Sequence, residues 1–176
     1  MLDAVRHAID QVGHADSLSL WTWTIADYEL LVFEQFMREG RIGRGRLIID
    51  GDARIKNRHR ADRARKDLAL LNQWRASFGA DSIRYVANHA KIATVEGGGM
   101  RILLRGSMNL NFNPRFEQLD VSEGGPAFDL VREIEDELPI LPDSASRLEV
   151  FAATKCADAF GAETLDMFAG LKRWAK

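Results

Sequence analysis

His89-Ala90-Lys91 and, fifteen residues past the lysine, Gly106-Ser107-Met108-Asn109 put an imidazole, an amine, a hydroxyl and a carboxamide into two short segments. These are the groups needed to attack a phosphodiester and hold its oxygens without a metal. An imidazole can bond to phosphorus when one nitrogen is free and the other is held by an acceptor that fixes the tautomer. An ammonium and a carboxamide can bind the non-bridging oxygens, where negative charge is held through the reaction. Taken singly, each residue has a plainer reading: a hydrogen-bonded histidine at a strand end, a solvated lysine, a polar turn. Their pairing in one short stretch points to chemistry.

The intervening residues supply the means of bringing the two segments together. Ile92-Ala93-Thr94-Val95 reads as a short strand, Glu96-Gly97-Gly98-Gly99 as a hairpin turn, and Met100 to Leu104 as the returning strand. His89 and Lys91, two apart on extended chain, point to the same side. The hairpin returns Ser107 and Asn109 beside them. The glycine run is no phosphate-binding P-loop, since no Gly-Lys-Ser/Thr follows it.

In type and order, His89, Lys91, Gly106, Ser107 and Asn109 resemble the signature of the phospholipase D superfamily: His-x-Lys, four residues, Asp, a short spacer, then Gly-Ser-x-Asn. Glu96 stands where the family usually has Asp, and the spacer to Gly106 is a few residues longer, a length expected to fall in the turn. Phe116-Glu117-Gln118 resembles the place where single-motif nucleases of the family carry a glutamate that orients the histidine. The resemblance spans roughly Ser17 to Ser122. It implies an α/β fold, a phospholipase D-like mixed β-sheet flanked by helices on both faces. It also implies that His89 forms a covalent phosphohistidine later cleared by water, with Glu117 as its orienting acceptor. Lys91 and Asn109 would bind oxygens. Ser107 would hydrogen-bond within the phosphate pocket or position a neighbour, with Gly106 and Glu96 in support. One motif supplies one histidine, whereas a second is needed to protonate the leaving oxygen. His7, His14 and His59 lack the accompanying residues. A homodimer sharing one site through His89 of both copies is therefore expected.

The elements that must position these groups follow from periodicity. Leu2, Val5, Ala8, Ile9 and Val12 form a helical stripe, and Ser17-Leu18-Ser19-Leu20 alternates as a strand, continued by Trp21 and Trp23. A helix is expected over Ile25 to Met37, a buried strand over Arg46 to Ile49 ending at Asp50, and a long helix over Asn57 to Phe78. Ile83 to Val86 is the next strand and leads straight into His89. An acidic helix, Phe128 to Leu138, follows Gly124-Gly125-Pro126, and Ser144 or Ser146 could cap a last helix. Alternating strands and helices argue a sheet covered on both faces, with ligand groups at strand ends. The expected organisation is a catalytic domain over residues 1–143 and a C-terminal helical extension over 144–176.

With 176 residues, 46% apolar and 28% charged, the composition is that of a globular protein with one ordinary core. No apolar run approaches the roughly 20 residues that span a bilayer, the first residues lack a secretory layout, and the single Cys156 excludes an internal disulfide. A cytoplasmic setting without membrane association is the expectation. Scattered histidines and the lone cysteine argue against a metal site or cofactor.

The net charge of −2 gives no global attraction to nucleic acid, but its distribution is uneven. Arg54, Lys56, Arg58 and Arg60, continuing through Arg63, Arg65 and Lys66 with Arg41, Arg44 and Arg46 upstream, form a basic run. Such a run is either a solvated helix face or a surface that tracks phosphates. Trp21 and Trp23 either fill a core or interface, the commoner role, or stack on bases. The expected function is a metal-independent phosphodiesterase, a nuclease acting on DNA or RNA. The alternatives are a nucleic-acid-binding module of the same fold with little or no turnover, and a phospholipid hydrolase.

Overall fold

Leu18 and Leu20 point to one side of an extended segment and Ser17, Ser19 and Trp21 to the other, and that alternation organises the molecule. The computed structural model describes residues 1–23, 27–51, 61–107 and 118–156. Helix α1 (Leu2–Val12) is followed by β1 (Ser17–Thr22), α2 (Asp27–Arg38), β2 (Gly45–Asp50) and α3 (Ala61–Phe78). Then come β3 (Ile83–Val86), β4 (Lys91–Gly97), β5 (Met100–Gly106), β6 (Leu119–Glu123), α4 (Pro126–Glu137) and α5 (Arg147–Cys156). The six strands form one mixed sheet in the order β3-β2-β1-β4-β5-β6. β1, β2 and β3 are parallel, while β4, β5 and β6 follow as an antiparallel meander.

Both faces of the sheet are covered. On one, Leu18, Leu20, Leu47, Tyr85, Ala93, Val95 and Leu104 pack against Val5 and Ile9 of α1, Phe33 of α2, Trp74 of α3 and Val150 of α5. Each such side chain contributes about 1.5–3 kcal/mol on leaving water. On the other, Ile48, Val86 and Leu103 meet Phe128 and Val131 of α4 and the following Leu138, with Trp21 lying between the two small clusters. The mixed α/β sheet with helices on both faces is as expected. Strand β6 was not anticipated, because Leu119-Asp120-Val121-Ser122-Glu123 is short and its residues are mostly exposed. Among the described residues no helix is long and apolar enough to cross a membrane.

One expectation needs correction. The hairpin turn is shorter than the four residues expected: β4 and β5 pair from Lys91↔Gly106 to Gly97↔Met100, leaving only Gly98 and Gly99 as the turn, both at positive φ. Such a two-residue turn matches the twist of its flanking strands, and Glu96 and Gly97 belong to β4. Gly97 is required by packing, since a Cβ there would lie 2.1 Å from the His14 carbonyl oxygen. The described part of the C-terminal segment packs back onto the main core through α5. Ala145 and Val150 are 3% and 1% exposed within the main core. Asp143 accepts both guanidinium nitrogens of Arg75 and the Tyr85 hydroxyl, tying the connector to α3 and β3. Residues 157–176 lie outside the described residues.

Ser146, rather than Ser144, caps α5. Its hydroxyl and backbone N–H donate to the Glu149 carboxylate at 2.6 and 2.7 Å, and Glu149 N–H donates back to the hydroxyl at 3.3 Å. This reciprocal box satisfies donors that a helix start leaves open. The bonds from Ser146 hold the Glu149 carboxyl below its ordinary pKa. A group whose folded pKa is lowered stabilises above its unfolded pKa and loses that contribution as pH falls through the folded value. Amide protection in the first turn of α5 should therefore decline as pH drops below the ordinary carboxylate range, and Glu149→Gln should abolish that dependence. Unchanged hydrogen exchange through this window would exclude the role of the cap.

Candidate active site

Because β1, β2 and β3 are parallel and β4 runs against them, Thr22, Asp50 and Val86 end on the same rim of the sheet at which Lys91 begins. Gly106 ends β5 opposite Lys91, and Leu119 starts β6 opposite Gly106. The His-x-Lys and Gly-Ser segments thus meet at one rim, as their spacing predicted. Trp23, Gly51 and Gln118 lie on it too, at the limits of stretches 24–26, 52–60 and 108–117, which fall outside the described residues.

His89 sits in the connection from β3 to β4 and is exposed, whereas Lys91 is 5% exposed. The lysine Nζ lies 2.9 Å from His89 Nδ1 and also donates to the His89 carbonyl oxygen. An ammonium has only donors. A charged Lys91 therefore makes Nδ1 the acceptor and leaves the neutral ring's proton on Nε2. The Trp23 indole stands 6.0 Å from the His89 ring, centroid to centroid, at 48°.

The connection that carries His89 is braced from three sides by groups the sequence did not single out as site residues. The buried Asp50 carboxylate accepts the Asn88 N–H at 2.8 Å. The Asn88 side chain accepts the Ala90 N–H at 2.7 Å and donates to the Thr22 carbonyl at 3.4 Å. From α5, the Thr154 hydroxyl accepts the Ala87 N–H at 2.7 Å. An Asn one residue before the histidine, at the end of a buried strand, was the one available signal. Thr154 gave none, being more than sixty residues away in sequence.

Ser107 and Gly106 act on their own chain. The Ser107 hydroxyl accepts the Gln118 N–H at 3.2 Å, and the Ser107 N–H donates to the Gln118 carbonyl at 3.2 Å. A Cβ on Gly106 would come within 2.5 Å of that carbonyl oxygen. The close approach Gly106 permits is therefore to Gln118, the same residue that the Ser107 hydroxyl meets. Glu96 does not support the pocket. It pairs with Ser17 and Arg101 near the opposite rim, five residues along β4 from Lys91, or about 17 Å at the rise of a strand.

Asn109 and Glu117 lie outside the described residues, as do Arg54, Lys56, Arg58 and Arg60; Arg63 belongs to α3, whose described part begins at Ala61. Asp50 and Gly51, which lead into the basic run, are at the His89 rim, as expected for parallel strands. Arg41, Arg44 and Arg46 do not extend the run toward the site, because they precede or open β2 at the other rim. Arg41 pairs with Asp10 at 2.7 Å, and Arg46 turns inward to Glu135 and Asp136.

No family model matches the chain, and no curated protein matches it in sequence.

Among the described residues, no three His, Cys, Asp or Glu side chains cluster as metal ligands. Among the described residues, two surface cavities lie away from His89. One is a groove of about 620 Å³ between His7 and Gln11 of α1 and Ile102, Leu104 and Val121 of the sheet. The other lies between α1 and α2.

Proposed function

We propose that the chain is a metal-independent phosphodiesterase that cleaves nucleic acid through His89. The observation that carries this reading is the Lys91 Nζ at 2.9 Å from an exposed His89 imidazole, on a rim shared with Ser107. A buried ammonium needs acceptors, and a phosphodiester offers better ones than a ring nitrogen. Substrate oxygens would draw Lys91 onto themselves and release the imidazole lone pair. A ring nitrogen then attacks phosphorus, the N–P bond forms as the P–O bond breaks, and the departing oxygen takes a proton from a second histidine. Water attacks the phosphohistidine next, giving a proton to the second histidine as the N–P bond breaks and the ring is restored. Asn109 would share the oxygens with Lys91, Glu117 would orient the ring, and the basic run from Arg54 would hold flanking phosphates.

The second histidine is His89 of another copy in a homodimer. The topology restricts how such a dimer could form. Pairing β6 with its own symmetry copy in antiparallel fashion would send the two His89 rims in opposite directions. The partner must therefore approach the rim itself.

The deciding experiment is cleavage of single- and double-stranded DNA and RNA in chelator, with trapping of label on the protein by a detergent quench at neutral pH. Metal-independent cleavage with a base-stable, acid-labile adduct mapping to His89 is the expected result. Tight binding without cleavage or label would leave a binding module. Turnover of dispersed phospholipid alone would make the chain a lipid hydrolase.

A further inference from the structure

Trp21 and Trp23 are two residues apart at the end of one strand, yet they meet different surroundings. Trp21 packs between the small clusters under α4, and its indole N–H donates to Glu135 at 2.7 Å. Trp23 lies just past the strand, 42% exposed, with its ring beside the His89 imidazole. The expectation of a core role is met by Trp21, whereas Trp23 is outside the core of this chain. The tilted imidazole contact leaves much of the Trp23 indole open to solvent, on a rim that also carries His89, Lys91 and Ser107.

We propose that Trp23 is a stacking platform for an unpaired nucleobase next to the phosphate at His89, which makes the substrate single-stranded or locally unpaired nucleic acid. The proposal rests on reading His89 as the phosphate-reactive group. A phosphate at His89 and Lys91 places the attached sugar and base within one nucleotide's reach of an indole 6.0 Å from the imidazole. Every base has an apolar face that can lie on an aromatic ring, so the contact is indifferent to sequence. In a duplex, both faces of each base are covered by neighbours and are closed to Trp23 unless the base leaves the stack. DNA and RNA share this chemistry, and only the 2′-hydroxyl separates them.

The test compares kcat/KM of the full chain, Trp23→Ala and Trp23→Phe on four substrates: a DNA single strand, an RNA single strand, the DNA annealed into duplex, and a strand with abasic residues around the cleavable bond. The wild type should prefer single strands to duplex. Trp23→Ala should lose about tenfold to a hundredfold on base-bearing single strands, the usual worth of one aromatic–base stack, and markedly less on the abasic strand. Trp23→Phe, which keeps a ring, should restore most of the loss and guards against simple misfolding. Equal losses on base-bearing and abasic strands, or a wild-type preference for duplex, would overturn the proposal. Wild-type turnover of the abasic strand alone would also overturn it, while leaving the phosphodiesterase reading intact. Absent cleavage with Trp23-dependent binding of single strands would support the platform and remove the catalytic reading, so the two ideas can fail separately.

Discussion

Alanine at position 89 is expected to lower cleavage about 10⁴-fold or more, since removing a nucleophile removes the covalent route and leaves only what binding and positioning supply. Folding should barely change, within about 0.5 kcal/mol as for other exposed positions. His89 is exposed, and the Lys91 ammonium keeps its bond to the residue 89 carbonyl, which alanine retains. Loss of turnover at unchanged thermal midpoint and unchanged oligonucleotide affinity is the combination to look for. His89→Ala protein that still cleaves in chelator would end the mechanism. The same variant tests whether the site is shared. If each site needs His89 from both copies, only dimers of two wild-type chains work, so equimolar co-expression with tagged variant should give about a quarter of full activity. Independent sites would give about half.

The largest effect on stability is expected at Glu135. Its side chain is fully buried under α4 and accepts hydrogen bonds from the Ser19 hydroxyl, from Trp21 Nε1 at 2.7 Å and from Arg132 Nη1 at 3.1 Å, with Arg46 at 3.4 Å. One carboxylate thereby satisfies donors on β1, β2 and α4. Glu135→Ala would strand a buried hydroxyl, an indole N–H and part of two guanidinium groups. Breaking a buried pair by removing one partner costs about 3–5 kcal/mol. For a chain of this size that is a fall of roughly ten degrees in thermal midpoint. Arg46 keeps Asp136 at 2.7 Å, which limits the damage on β2. Glu135→Gln keeps most of the shape and some acceptors but not the charge, and should cost about 1–3 kcal/mol. Urea denaturation of the three proteins orders them. An alanine variant as stable as wild type would mean that the network contributes nothing to holding α4 on the sheet.

Glu135 also shows where sequence reasoning stops. Phe128-Asp129-Leu130-Val131 and the acidic residues after it announce a helix with charge on it, and α4 is there. Which carboxylate faces inward is set by the stripe Phe128, Val131, Glu135, in which a glutamate takes a core position. Only Ser19, Trp21 and Arg46 on the strands beneath make that tolerable, and no local pattern says those strands lie under α4. In β1, by contrast, Leu18 and Leu20 alternate with Ser17 and Ser19 and foretell both faces without any partner in view. α1 is legible end to end because its stripe of five apolar residues is local. β6 was not, since an exposed edge strand lacks the apolar signal that betrays a buried one.

By itself the sequence determined the hairpin that returns Ser107 toward His89 and Lys91, and the helical and strand periods that cover the sheet on both faces. Those features depend on residues within one or two turns of chain, where side-chain direction follows from backbone geometry. The tertiary structure alone decided that Asp50, Asn88 and Thr154 brace the histidine, that Glu96 sits at the far rim, and that Trp23 stands open beside the His89 ring. Parallel pairing of β1, β2 and β3 through crossovers joins residues many positions apart, and the register of such pairing is chosen by packing of the whole sheet rather than by any segment in it.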